Sequence, residues 1–288
     1  MNPIHNSLGR LRQRVNVTTR HPLDGDQLVI LYDDHRWLLN VMFKIQKEKL
    51  LPEPPKLIFF DSHDDCAGTR PKSDLLSSLD VENLLDASEK DFASFVDYEI
   101  GTDDGNWLSV ACELNLISDA VVIGAKHGTN IDSETGTLYK SEDGTEHHLY
   151  KLSGNLEYEL GCRGSLGDRC LEKEYKGIRE FFDIKYGNEF ARIGDITPFI
   201  LDYDLDFFTL DSDEGTLAWP LMVWEKHYNH FSPENRFVKE LINKAIVVTV
   251  CREPDYCGNI AGIAGANYNL ENLDRYFFNG DLGTRLNY

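Results

Sequence analysis

The chain has 288 residues, 41% hydrophobic and 27% charged, with 49 Asp+Glu against 29 Lys+Arg and a formal net charge of −20. That length can bury a large core. The acidic surface repels phosphate backbones and anionic lipid, so neither a nucleic acid nor a membrane is expected as partner. It favours cationic ligands such as metal ions, amines and guanidinium groups, although on charge alone a surface that is acidic merely for solubility is the better reading. No apolar run is long enough to span a bilayer. The opening MNPIHNSLGRLRQRV lacks the apolar core of a signal peptide, and the six cysteines include no CxxC pair. A cytoplasmic protein with reduced thiols is the expectation.

In chain order, QLVILY (27–32) reads as an apolar strand that runs into Asp33, Asp34 and His35. RWLLNVMFKIQKEKLL (36–51) has helical spacing with a Lys-rich outer face. KLIFF (56–60) is a second strand and ends in DSHDD. Residues 73–96 predict one or two short helices capped by Ser73 or Asp74, and 106–117 predict another. Ahead of that last helix, Asp103, Asp104 and Asn106 serve either as caps or as contacts to a cationic substrate group. DAVVIGA (119–125) is a strand, followed by His127 in a loop. The polar segment 136–152 centres on Asp143–Gly144, a hairpin turn signal. It predicts an inserted hairpin, either a surface excursion or a lid or substrate wall with His147 and His148 on it. PFILDYDLDFF (198–208), an acidic loop (210–216), a helix at SPENRFVKELINKA (232–245) and the strand AIVVTVC (245–251) complete the chain. Apolar strands alternating with helices predict an α/β fold: one domain over 1–288, three-layer α/β/α, with a mostly parallel central sheet.

Three strands therefore end in acids. If DSHDD stays extended, Asp61, His63 and Asp65 share one side, while Asp64 faces away. That set is either a first shell for a divalent cation or a surface turn of solvated acids. Asp202, Asp204 and Asp206 alternate with Leu201, Tyr203, Leu205 and Phe207, and three like charges on one side of an apolar strand call for a cation between them. A calcium loop is excluded, because its sixth position must be Gly and here is Phe207. An aspartyl-nucleophile phosphatase would leave DSHDD unexplained. A shared two-metal centre accounts for all three strand ends together.

The order DDH (33–35), DSHDD (61–65), DYDLD (202–206), each at a strand end, resembles the ureohydrolases, arginase and agmatinase among them. Those proteins carry Gly-Asp-His, Asp-x-His-x-Asp and Asp-x-Asp motifs around two manganese ions. This chain lacks the glycine before Asp-His and has FF where Gly-Leu-Asp-Pro is common. With LYDDHRW, FFDSHDD, NWLSVACELNLISDAVVIG and ILDYDLDFF it is closer to a divergent branch that contains bacterial peptide arginases. The resemblance implies an arginase/deacetylase-like fold and two Mn2+ ions per chain. It implies that His35, Asp61, Asp65 and Asp204 hold one ion, and that Asp61, His63, Asp204 and Asp206 hold the other. Asp34 and Asp202 would orient ligands, and Glu253, otherwise a surface glutamate in the turn before Pro254, would hold the guanidinium. His127, placed after the VVIG strand, is either a structural histidine or a proton shuttle to the leaving amine. The implied reaction turns arginine in a precursor peptide into ornithine plus urea. The alternatives are a single-zinc deacetylase-like amidohydrolase and a non-catalytic, metal-stabilised binding module.

Overall fold

The computed structural model describes residues 3–11, 15–20, 27–66, 79–100, 106–125, 131, 136–152, 198–212, 215–231, 233–257, 262–278, 280 and 282. Among these residues the main sheet has eight strands: β1 (Asn16–Arg20), β2 (Gln27–Tyr32), β3 (Lys56–Phe60), β4 (Ala120–Ile123), β5 (Thr137–Lys140), β6 (Glu146–Leu152), β7 (Phe199–Asp204) and β10 (Val247–Cys251). They lie in the order β1-β2-β10-β7-β3-β4-β6-β5. From β2 to β6 all neighbours are parallel, and β1 and β5 close the two edges as antiparallel strands. A separate ribbon pairs β8 (Thr209–Ser212) with β9 (Gly215–Ala218).

The parity of the strands builds the layers. Val29, Leu31, Ile58, Phe60, Val121 and Ile123 join one apolar cluster, and Leu28, Ile30, Leu57, Phe59, Ala120 and Val122 join another. Alternate residues of a strand face opposite sides, so each strand feeds both cores. That is why these strands read as continuous apolar runs rather than as alternating ones. The first face is covered by Val223 and Trp224 of α6 (Leu221–Tyr228), Phe237 and Leu241 of α7 (Pro233–Lys244) and Leu270 of α8 (Gly262–Leu273). The second is covered by α1 (Pro3–Leu8), α2 (Leu38–Lys47), α4 (Glu89–Tyr98) and α5 (Trp107–Glu113). The α/β/α architecture is the expected one.

Local details differ from expectation. The 73–96 stretch yields α3 (Val81–Asp86), capped by Asp80, and α4, capped by Ser88, whose hydroxyl accepts from Asp91 N at 3.2 Å. The expected caps Ser73 and Asp74 lie outside the described residues. Asn106 precedes α5 without a side-chain capping bond.

The hairpin forms at the expected turn, with Gly144 at φ 91°, but it is the edge of the main sheet. Because β6 runs parallel to β4, with Leu152 opposite Ile123, the Asp143–Gly144 turn lies at the end opposite the C-terminal strand ends. There Asn115 Nδ2 holds Asp143 Oδ2 at 2.7 Å. A lid or substrate wall built from that turn is thereby excluded. His147 is buried, with Nδ1 2.9 Å from Ser118 O. Asp119 accepts from His148 N at 3.0 Å. Both histidines thus serve the sheet edge.

Candidate metal centre

The neighbours β2, β10, β7 and β3 point the same way. Their C-terminal ends therefore open on one rim, the place where open α/β sheets bind ligands. From β2 comes His35, from β10 Glu253, from β7 Asp204 and Asp206, and from β3 the stretch Asp61–Asp65.

Each chain turns sharply after its strand. Asp34 accepts a hydrogen bond from Arg36 N at 3.2 Å and pairs with the Arg36 guanidinium at 2.7 Å. It thereby starts the 3-10 turn His35–Trp37, which carries the fully buried His35. Asp33 points outward to Arg252 Nε at 2.5 Å. After β3 the chain does not stay extended as expected, since Asp65 has φ 45°. Asp61, His63 and Asp65 are gathered by a loop rather than by strand parity. Asp64 does turn away, yet it is buried, with Lys151 Nζ 3.8 Å from its Oδ2 and Ile131 N donating to that oxygen at 3.3 Å. Asp204 is the last residue of β7, and its Oδ1 accepts from Asp206 N at 3.0 Å. Asp206 thus sits on the 3-10 turn Leu205–Phe208, not on a continued strand.

These turns converge. His35 Nδ1 lies 3.1 Å from Asp61 Oδ2, 2.9 Å from Asp65 Oδ2 and 3.2 Å from Asp204 Oδ2. Its Nε2 is 2.8 Å from Asp202 Oδ2. Asp202 also accepts from Tyr32 Oη at 2.5 Å and from the Thr249 hydroxyl. With Nε2–H given to Asp202, the Nδ1 lone pair faces three carboxylates, a carboxylate–histidine arrangement typical of metal ligands. His63 Nδ1 lies 2.9 Å from Asp206 Oδ2 and 3.7 Å from Asp61 Oδ1. Glu253, with φ 31°, accepts from His35 N at 3.2 Å. Donor atoms of His35, Asp61 and Asp65, of His35, Asp204 and Glu253, and of Asp61, His63 and Asp206 lie within 4.8 Å of one another in each trio.

The donor set fits divalent cations. His35 Nδ1 and Asp61 Oδ2, 3.1 Å apart, are buried without a hydrogen-bond partner, so both lone pairs are open to a cation. Ligand atoms about 2.1 Å from a hard cation and at right angles sit about 3 Å apart, which is the spacing found around Nδ1. Without a cation the cluster is electrostatically crowded. Burial, and then the charge of Asp206, push Asp204 well above the usual carboxylate range. Burial and the charge of Asp204 do the same to Glu253. At His63, burial works against the charged ring, but hydrogen bonds to Asp206 and Asp61 outweigh it and lift the pKa to about 12. At His35 burial likewise opposes the charge, and Asp202 first among the carboxylates raises it.

The structure brings together every expected ligand, His35, Asp61, His63, Asp65, Asp204 and Asp206, and sets Glu253 beside them. His127, Asp103 and Asp104 lie outside the described residues. Several supporting groups had no expectation attached. Trp107 Nε1 donates to Asp65 Oδ2 at 2.5 Å. Ser62 gives both its N (3.1 Å) and its Oγ (2.5 Å) to Asp206. Thr249, the polar residue inside VVTVC, was the one sequence signal for this support.

Asn269 on α8 is fully buried, and its Nδ2 donates to Leu205 O at 3.0 Å and Phe208 O at 3.2 Å. It clamps the turn that carries Asp206. Asn269→Leu is expected to lower stability by about 1–3 kcal/mol, the cost of stranding buried carbonyls, and to weaken the metal load on the His63–Asp206 side. A variant with wild-type melting temperature and full metal content would show the clamp to be dispensable.

No family model and no curated protein matches the sequence. Among solved structures it is similar to proclavaminate amidino hydrolase from Streptomyces clavuligerus, at 16% identity and a TM-score of 0.39. That match covers 87% of this chain, which spans only 63% of the other. A likeness that distant adds nothing to the fold and site built above. Among the described residues, no helix is long and apolar enough to cross a membrane.

Proposed function

We propose that the protein is a manganese-dependent hydrolase of guanidino groups that converts peptidyl arginine to peptidyl ornithine and urea. The observation that carries this reading is the His35 Nδ1 lone pair facing Asp61, Asp65 and Asp204 beside a second group, Asp61, His63 and Asp206. One group alone would suit a single-metal amidohydrolase; two groups sharing Asp61 favour a pair of ions.

His35, Asp61, Asp65 and Asp204 would hold one ion, and Asp61, His63, Asp204 and Asp206 the other. Imidazole with carboxylate suits manganese. Two such ions would acidify a shared water into a nucleophile near neutral pH. The rest falls to the chain. Asp202, held by Tyr32 and Thr249, fixes the ring of His35. Trp107 and Ser62 fix Asp65 and Asp206. Glu253, buried and held by His35 N, offers a carboxylate to the guanidinium N–H groups, keeping the planar cation oriented while its carbon becomes tetrahedral. Water adds to that carbon, the bond to the side-chain nitrogen breaks, and that nitrogen leaves as a protonated amine with urea as the other product.

The −20 charge supports a cationic substrate. The β8–β9 ribbon, which leaves directly from the Asp206 turn, supports an extended one. Urea release should be compared for an arginine-containing peptide, free arginine and agmatine at equal concentration, with Mn2+ and after chelation. Manganese-dependent release, fastest from the peptide, is the expected result. A preference for either small molecule would contradict the peptide substrate, and no release from any of them would contradict the activity.

A further inference from the structure

The cluster is not equally open on all sides. His35, Asp61, Asp65, Asp204, Asp206 and Glu253 are all buried, whereas the His63 side chain is 35% exposed. Among the described residues of the cluster, His63 is therefore the one that reaches the surface. On that side stands Tyr256, a large aromatic left 46% exposed. Its ring centroid is 5.8 Å from that of His63, with the planes at 72°.

The backbone holds Tyr256 there. Tyr256 N and Cys257 N both donate to Glu253 O, at 3.0 and 3.3 Å. Cys257 Sγ donates to Arg252 O at 3.0 Å. This turn is seated on α8 by close backbone approach. A Cβ at Gly262 would come within 2.6 Å of Pro254 O, and one at Gly265 within 2.2 Å of Cys257 O. The same turn thus carries Glu253 inside the cluster and Tyr256 at its mouth, in a fixed relation.

We propose that Tyr256 is a specificity-determining residue whose ring stacks on the guanidinium of the substrate side chain as it passes His63 into the carboxylate cluster. This rests on the function proposed above. A guanidinium is planar, weakly hydrated and cationic, so it stacks on an aromatic face where an ammonium keeps its water. The carboxylates behind His63 select for positive charge, and Tyr256 selects among cations for the flat one.

The test uses the full chain loaded with Mn2+ and the probe N-acetyl-arginine amide, which presents arginine as an internal residue does. Tyr256→Ala and Tyr256→Leu are expected to raise KM for urea release about tenfold, with kcat falling less than twofold and metal content intact. That is the pattern of binding shared by ground and transition states. Tyr256→Phe keeps the ring and should bring KM back to within about twofold of wild type. Leu fills space without a π face, so a wild-type KM in the Leu variant would overturn stacking. A loss of kcat and metal together in the Ala variant would also overturn it, in favour of a structural role. If the wild type releases no urea, the activity reading fails by itself, and the calorimetric Kd of the same probe for wild type and variants decides Tyr256 on the same terms. A wild type that neither hydrolyses nor binds the probe overturns both.

Discussion

Asp204→Ala is expected to empty the centre of metal and to lower guanidine hydrolysis by at least roughly three orders of magnitude, equivalent to about 4 kcal/mol in the barrier. The Asp204 side chain ties a metal-facing oxygen to a backbone cap. Its Oδ2 is 3.2 Å from His35 Nδ1, its Oδ1 caps the Asp206 turn at 3.0 Å, and it joins His35 and Glu253 in one donor trio. Removing it takes a shared ligand from both proposed ions and also releases the backbone that positions a second ligand. Asp204→Asn separates these effects. The amide oxygen can still accept from Asp206 N, so the turn should persist, but the charge that binds cations is gone. Both variants should therefore lose metal by elemental analysis, and only Ala should loosen the turn. A metal-loaded Asp204→Ala with wild-type turnover would show that the shared carboxylate lies elsewhere.

The central strands were legible because they are buried on both faces. Every residue of QLVILY is buried in β2, and likewise VVTVC in β10, so apolar side chains occupy both parities, Gln27 and Thr249 being the polar exceptions. β1, NVTTR, carried no such signal, since among the described residues it is an edge strand paired to β2 alone. The hairpin was legible as a turn, but its place was not. Whether β6 joins the sheet depends on the bond pattern of β4, not on anything within 136–152.

For the site, residue identity was more legible than geometry. An acid following an apolar strand is conspicuous, and the six expected ligands all came from three such places, with Glu253 after a fourth strand as the expected catalytic carboxylate. Strand parity was the wrong mechanism for gathering them. Asp65 arrives through a left-handed residue and Asp206 through a 3-10 turn, both consequences of tertiary contacts made at the rim. The residues that hold the ligands were least legible. Trp107 lies 42 positions from Asp65, and Asn269 lies 64 from Leu205. An indole or an amide inside an apolar helix reads as core until its partner is known.

The largest stability effect should come from metal and pH together. In the metal-free protein, burial and neighbouring charge raise Asp204 and Glu253 above their unfolded values, about 3.9 and 4.3. The folded state then binds these protons more tightly than the unfolded chain. Their contribution is complete below those values and is lost as pH rises through the folded pKa, at up to about 1.4 kcal/mol per pH unit for each group while the difference lasts. His63 acts with the same sign. Its contribution is complete below about 6.5 and erodes as pH climbs toward its folded value of about 12. Asp119 and Asp143 are shifted downward, Asp143 to about 2, so their contributions are complete above about pH 4 and do not vary at neutral pH. The metal-free melting temperature should therefore fall steadily from pH 6 to pH 9. Metal binding requires deprotonated ligands and releases protons, so Mn2+ should stabilise more at each higher pH and the gap between loaded and metal-free protein should widen. Calorimetric scans at pH 6, 7, 8 and 9, in chelator and in excess MnCl2, measure both curves. A metal-free melting temperature that rises across this window, or a gap that stays constant, would mean that the crowded carboxylates and histidines at the four strand ends are not held in place for cations.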